Sequence, residues 1–304
     1  MPPRSDAQAF RWPEPLALPR VPGAPRLTQA SCEWLRDITI VDEYGERRAI
    51  RIPCERPLTV FVDKRELVTL MTLGAMPELL VLGYLRNQHL IDSAADVASI
   101  SVDWEVDAAA VATHRGIADL DARTARRVVT TGCGQGTVFG DAMAQVSQLR
   151  LPAAHEARIH QGTLVRMLET MRQQDSVHRK AGSVHGCALF RDGELLMFVE
   201  DVGRHNAIDT ITGWMALHGV PGGDKALYTT GRLTSEMVMK AATVGVPIVV
   251  SRNGVTAMGH ELAERLGMAL FGRAANRHFL CYSGAERFVS EPEERPAAAR
   301  VVVG

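Results

Sequence analysis

A β-hairpin that runs directly into repeated helix–strand units is the feature that most limits what this chain can become. Cys187 to Phe190, the turn Arg191-Asp192-Gly193 and the apolar run Glu194 to Glu200 read as two antiparallel strands. An amphipathic helix marked by Leu164, Met167, Leu168 and Met171 precedes them. After the hairpin come a helix over Arg204 to Leu217, a strand Ala226 to Thr229, and a helix from about Thr234 to Val244. A strand Val246 to Ser251, a helix Met258 to Leu266, a strand Met268 to Phe271 and a last strand Phe279 to Tyr282 follow. One antiparallel pair feeding parallel crossovers predicts a mixed sheet with helices on both faces.

The first half has a different texture. Residues 1 to 30 are rich in Pro and Arg and read as an irregular arm. Short β-like runs follow at Asp37 to Asp42, Arg48 to Ile52 and Leu58 to Val62. Leu67 to Met71 and Leu79 to Leu85 read as two short helices, the second opened by Pro77-Glu78. Ile100 to Val106 and Arg126 to Thr130 read as strands again. The chain is therefore expected to be α/β overall. An α+β part over 31–150 is followed by a three-layer domain over 151–288 and a tail at 289–304.

Composition removes several classes of function. A net charge of -1 over 304 residues gives no global attraction to nucleic acid. The five cysteines are odd in number and scattered, which is neither a disulfide framework nor a zinc pattern. No apolar run is long enough to span a membrane and the N-terminus is not a secretory signal, so a cytoplasmic protein is expected.

Three places carry candidate chemistry. The junction Glu200-Asp201-Val202-Gly203-Arg204-His205-Asn206-Ala207-Ile208-Asp209 puts carboxylates, a guanidinium and an imidazole at a helix N-terminus. Free N–H groups there suit an anion, while the same residues also suit a plain helix cap. Thr229-Thr230-Gly231-Arg232 with Ser235, Ser251-Arg252-Asn253-Gly254, and Gly272-Arg273-Ala274-Ala275-Asn276-Arg277-His278 repeat a basic, hydroxyl-bearing, glycine-punctuated loop after successive strands. At the carboxyl ends of parallel strands such loops suit a phosphate-bearing ligand, and Arg204, His205 and Arg232 are expected in one cleft. The third place is Cys133, in the loop Thr131-Gly132-Cys133-Gly134-Gln135-Gly136. Glycines around a thiol give it reach for sulfur transfer, and Arg126 and Arg127 could favour its thiolate. The other four cysteines read as packing residues.

The order of elements in the second half resembles cytidine-deaminase-like domains. Zinc deaminase chemistry is excluded, because His205-Asn206-Ala207 lacks the glutamate and Thr230 to Glu236 contains no cysteine. No zinc is expected.

Glu200 to Asp209, Thr230-Gly231-Arg232 with Ser235-Glu236, Lys240-Ala241-Ala242 with Gly245-Val246-Pro247, and Leu262 to Gly267 resemble the FdhD family of formate dehydrogenase accessory sulfurtransferases. Tyr282 to Arg287, Glu55-Arg56-Pro57-Leu58, and Leu70-Met71 to Ser93-Ala94-Ala95-Asp96 extend the resemblance to about residues 35 to 288. It implies a cytoplasmic homodimer that takes sulfur from a cysteine desulfurase as a persulfide. That sulfur goes to the molybdenum cofactor, bis(molybdopterin guanine dinucleotide), the bound substrate, before it enters formate dehydrogenase. It implies Cys133 as the sulfur carrier and Arg273, Ala274, Ala275, Asn276, Arg277 and His278 as the cofactor-binding segment. The chain departs from the family's Cys-Gly-x-Cys-Gly loop, with Gly136 in place of the second cysteine. A non-catalytic carrier or chaperone of the cofactor is therefore the alternative. A nucleotide-binding module without molybdenum is a third reading.

Overall fold

The computed structural model describes residues 14–117 and 149–291. In the first half, β1 (Arg26–Leu27), β4 (Arg56–Val62), β5 (Arg65–Thr72), β6 (Val97–Asp103) and β7 (Ala108–Thr113) form a sheet of order β1-β6-β7-β4-β5. A separate hairpin, β2 (Leu35–Val41) with β3 (Arg47–Pro53), precedes it. Alternate residues Leu58, Val60 and Val62 of β4 face inward against Leu80, Val81 and Leu85 of α1 (Pro77–Asn87). Pro77 opens that helix as its sequence predicts, since a proline costs nothing where no N–H bond is due.

The segment Leu67 to Met71 is not a helix. It belongs to β5, where Leu58 pairs with Leu70 and Pro57 with Met71. Asp63 and Lys64 take left-handed backbone (φ 47° and 71°) and turn the chain into a hairpin. A bulge at Val60/Phe61 interrupts the ladder. The leucines at 67 and 70 therefore mimic helical spacing in a strand.

The second half contains β8 (Ile159–His160), α2 (Gln161–Gln173), α3 (Val177–Ala181), β9 (His185–Arg191), β10 (Glu194–Asp201), α4 (Arg204–His218) and β11 (Ala226–Thr229). Then come α5 (Ser235–Thr243), β12 (Ile248–Ser251), α6 (Ala257–Leu266), β13 (Ala269–Ala275), β14 (His278–Ser283) and β15 (Phe288–Val289). Six strands make one sheet of order β10-β9-β11-β12-β13-β14. The β11–β12 and β12–β13 pairs are parallel, and the two ends are antiparallel hairpins. Ile208, Ile211 and Trp214 of α4, Val238 of α5 and Leu262 of α6 pack on one face, against Leu189, Leu227, Val249 and Leu270. Leu164 and Met167 of α2 pack on the other, against Phe190, Tyr228 and Phe271. The mixed sheet with helices on both faces is as the hairpin-plus-crossover order predicts. The single capped turn α3 and the two-residue strands β8 and β15, which pair with each other, have no counterpart in the periodicity because they are too short to show one.

Two glycines fix how the halves meet. A Cβ on Gly83 of α1 would stand 1.7 Å from the Asp209 carbonyl oxygen, and one on Gly213 of α4 would stand 1.9 Å from that of Leu79. The helices cross backbone to backbone, which only glycine permits. Residues 14–30, irregular apart from β1, are tied to this joint. Leu16 N–H donates to Leu196 O (2.9 Å), Val21 N–H to Leu217 O (3.0 Å), and Thr28 Oγ1 to Glu78 Oε1 (2.7 Å). No helix among the described residues is long and apolar enough to cross a membrane.

Candidate functional site

Because α1 crosses α4 so closely, the start of α4 faces the first sheet across a cleft of about 270 Å3. His205, Asn206 and Asp209 of α4 and Glu236 and Lys240 of α5 form one side. Glu55, Thr69 and Met71 of the first half, with Tyr84 and Gln88 of α1, form the other.

The cleft floor is a buried charge network. Lys240 Nζ lies 2.9 and 2.8 Å from the two oxygens of Asp209, and Asn87 Nδ2 donates to Asp209 Oδ1 at 2.6 Å. Both charged groups are buried. Burial pushes the Asp209 carboxyl up, and the Lys240 ammonium with its hydrogen bonds pulls it back. Lys240 also stands 3.8 Å from Glu236 Oε1, and Glu236 Oε2 lies 3.2 Å from His205 Nε2. His205 is neutral: burial first, then Lys240, Arg204 and His185, push its pKa down to about 2. With three carboxylates and one ammonium facing it, the cleft suits a ligand that presents hydrogen-bond donors.

Just beyond lies a basic rim. The Arg204 side chain lies over Gly231, where an added Cβ would meet Arg204 Cδ at 2.8 Å. Burial and the charges of Arg204, His178 and Arg232 together push the His185 pKa down, which puts those groups around one imidazole. Arg204 and Arg232 thus both act on His185, but the single cleft expected for Arg204, His205 and Arg232 is lined by His205 alone of the three.

The two carboxylates that open this junction face elsewhere. Glu200 accepts from Val177 N–H (2.6 Å) and His178 N–H (3.3 Å) at the start of α3. Burial outweighs those bonds and pushes it up to about 7. Asp201 accepts from Thr72 Oγ1 (2.5 Å), Leu73 N–H (3.2 Å), Gly203 N–H (3.1 Å) and Asn206 Nδ2 (2.9 Å). Burial pushes it up to about 6. Both carboxylates are clamps.

The hydroxyls expected to face phosphate build their own loops instead. Thr230 Oγ1 accepts from Gly186 N–H (2.9 Å), Thr229 Oγ1 from Gly231 N–H (3.0 Å), and Ser251 Oγ donates to Gly231 O (2.6 Å). Asn253 Nδ2 donates to Thr230 O (2.7 Å), and Arg273 N–H to Asn253 O (2.8 Å), so the three turns stack along one sheet edge. What they leave at the surface are the guanidiniums of Arg232, Arg252, Arg273 and Arg277.

The segment 273–278 is the tip of the β13–β14 hairpin, and β13 runs four residues past the expected end at Phe271. Arg273 and Asn276 take left-handed backbone (φ 50° and 56°), and Ala275 pairs with His278. Arg273, Ala275, Asn276, Arg277 and His278 are exposed, whereas the Ala274 methyl is buried in the core. The hairpin reaches the basic rim through the stacked turns and shares no lining residue with the cleft. Cys133, with Arg126, Arg127 and the strand expected at Arg126 to Thr130, lies outside the described residues.

The sequence reading missed the first-half wall of the cleft and the Lys240–Asp209 pair. A lysine and a glutamate at i and i+4 on the apolar helix α5 were the available signal, as were mid-helix glycines at 83 and 213.

Fold and site together define a mixed α/β protein with a polar cleft between two sheets and a basic rim along one of them. Residues 53–289 match the model of the FdhD/NarQ family, and the chain belongs to that family. It is similar to the sulfur carrier protein FdhD of Halalkalibacterium halodurans, 30% identical over 84% of this chain and 95% of that one. It is also similar to the protein of that name from Nocardia farcinica, 33% identical over 80% and 90%. A solved structure described as a formate dehydrogenase accessory protein of Desulfotalea psychrophila has the same fold. It superposes with a TM-score of 0.67 at 24% identity, over 84% of this chain and 98% of that one.

Proposed function

We propose that this protein is a cytoplasmic sulfur carrier serving formate dehydrogenase, with the molybdenum cofactor bis(molybdopterin guanine dinucleotide) as its bound substrate. The names carried by its relatives support a sulfur-carrying role. The observation that carries the substrate reading is the acid-floored cleft beside a rim of Arg204, Arg232, His178 and His185. A dinucleotide has two unlike ends, a heterocycle rich in N–H donors and a pyrophosphate. Carboxylates suit the first and guanidiniums the second. The exposed hairpin 273–278 supplies further cationic contacts along the same edge. The six-stranded domain is the cytidine-deaminase-like part, with its metal site replaced by the Arg204–Arg232 rim.

Sulfur enters at Cys133. Its thiolate attacks the terminal sulfur of a cysteine desulfurase persulfide, forming Cys133–S–SH and releasing the desulfurase thiolate. One thiol suffices for this step, so Gly136 in place of a second cysteine makes a one-cysteine sulfurtransferase that acts as a homodimer. Incubation with a cysteine desulfurase and cysteine should add one sulfur to Cys133 in the mass spectrum, and Cys133→Ser should abolish activation of the client enzyme. Full client activity with Cys133→Ser would instead leave a chaperone that only holds the cofactor.

A further inference from the structure

The β2–β3 hairpin joins neither large sheet, and its isoleucines Ile38, Ile40, Ile50 and Ile52 lie outside the three hydrophobic cores. A two-stranded ribbon is marginal in water by itself and becomes stable when further strands give it an apolar face to bury. Side chains alternate across a strand, so Ile38 and Ile40 share one face with their cross-strand neighbours Ile50 and Ile52. Ile50 is 38% exposed and the other three are half-buried.

The outer edge of β2 is open. Cys54 N–H to Trp34 O (2.8 Å) and Asp42 N–H to Glu46 O (3.0 Å) mark the two ends of the ladder. Antiparallel bonding alternates along a strand, so the even-numbered residues of β2 bond to β3. Leu35, Asp37, Thr39 and Val41 therefore turn their N–H and C=O groups outward. No strand among the described residues pairs with that side. Its middle, Ile38-Thr39-Ile40-Val41, has no charge, proline or bulge, the devices that ordinarily protect an edge.

The charges at the two ends of the hairpin complement each other. Arg48 is paired with Asp42 (3.3 Å) and Arg51 with Asp37 (3.0 Å). Arg36 at the start of β2, and Glu43 and Glu46 in the turn, have no ion pair among the described residues. Arg36, Asp42 and Glu46 lie on the isoleucine face, at opposite ends of it.

We propose that a second copy of this chain covers this edge, with β2 pairing antiparallel to the partner's β2 about a two-fold axis at Thr39. The two hairpins become one four-stranded sheet. Asp37, Thr39 and Val41 of both copies then use their outward groups on each other. Ile38 meets the partner's Ile40, and Arg36 meets the partner's Asp42 with the partner's Glu46 beyond it. An axis at Ile38 would set Arg36 against the partner's Ile40, and one at Ile40 would set Asp37 against the partner's Glu43. Only the Thr39 register matches both the apolar and the charged positions. The interface is isologous, the same strand on both sides. It rests on the homodimer proposed above and adds the surface that closes it.

The test is sedimentation equilibrium of the full chain, with amide exchange read residue by residue in β2. The wild type should be a dimer in which the Asp37, Thr39 and Val41 amides are protected. Those three should exchange freely after dilution to the monomer, while Ile38 and Ile40 stay protected in both states. Thr39→Pro removes the central outward N–H without costing β2–β3 a bond, and should give a monomer. Arg36→Glu and Glu46→Arg should each weaken the dimer about tenfold, and an equimolar mixture of the two should restore it. In the mixed dimer both contacts again join opposite charges, a recovery that misfolded variants could not show. A wild-type dimer whose Asp37, Thr39 and Val41 amides exchange freely overturns the β2 interface and leaves the homodimer on another surface. A wild type that is monomeric at every concentration overturns both. Protection of those amides only on adding formate dehydrogenase would likewise overturn the proposal and give the edge to the client.

Discussion

At the scale of single residues, burial decides which charged groups are costly and which are held. Asp209 is buried with Lys240 as its counter-charge, so Lys240→Met should destabilise the protein by about 3–5 kcal/mol. Adding Asp209→Leu should restore much of that, because the uncompensated charge goes with it. Urea denaturation of the two variants checks this, and equal losses in both would count against it. Glu200 makes a second prediction. Its pKa rises from 4.5 to about 7 on folding, so between those values the native state binds the proton more tightly. Stability from this group is therefore greatest below pH 4.5 and is lost as the pH rises through about 7. Glu200→Gln keeps an acceptor for Val177 N–H and removes the titration. The wild type minus variant difference should fall by about 1–3 kcal/mol across that window. A difference that is flat with pH would show Glu200 ionised throughout.

At the scale of elements, the crossing of α1 and α4 is the joint on which the cleft depends. Gly83→Ala or Gly213→Ala puts a methyl into a backbone carbonyl, which cannot yield as a side chain can. The cost should reach at least the 1–3 kcal/mol typical of overpacking, read as a lowered thermal midpoint. Neutral substitution at both glycines would mean that the helices stand further apart. A second joint is made by Arg287, buried between strands and the incoming chain. It donates to Gly267 O (2.6 Å), Pro152 O (2.6 Å), Ala153 O (3.2 Å) and Ala157 O (3.2 Å). Arg287→Met keeps the bulk and leaves those carbonyls without their donor, for an expected loss of roughly 2–4 kcal/mol in chemical denaturation.

At the scale of the whole molecule, two helix starts each supply one basic-rim and one acid-floor residue, Arg204 with Asp209 and Arg232 with Glu236, and ligand binding tests whether rim and floor act together. Arg204→Ala and Arg232→Ala should each weaken binding of a guanine nucleotide about ten- to hundredfold, a loss on the order of 1.5–3 kcal/mol. Arg273→Ala or Arg277→Ala should do the same if the hairpin joins the site. Isothermal titration at fixed ionic strength reads all four. Unchanged affinity in the first pair would remove the rim from the site, and unchanged affinity in the second pair would remove the hairpin.

The sequence by itself determined the mixed sheet. The apolar runs from Glu194 to Phe271 alternate with helical periodicity, and a hairpin followed by crossovers has few ways to close. It also marked Arg204 and Arg232, because a guanidinium at a helix start after a strand is local information. Tertiary structure decided the rest. Whether Glu200 and Asp201 meet a ligand or a backbone N–H depends on where α3 and β5 come to lie. Thr69, Met71, Tyr84 and Gln88 carry no local mark of a site, and the Gly83–Gly213 contact, with Asn206 Nδ2 donating to Met71 O (2.7 Å), brings them opposite His205 and Asp209. Cys54 reads as a packing residue until the fold sets it in a surface groove with Arg36 and Arg56. Periodicity reports which side of an element is buried, but the identity of the opposing surface is a contact between residues more than a hundred positions apart, and no local pattern encodes it.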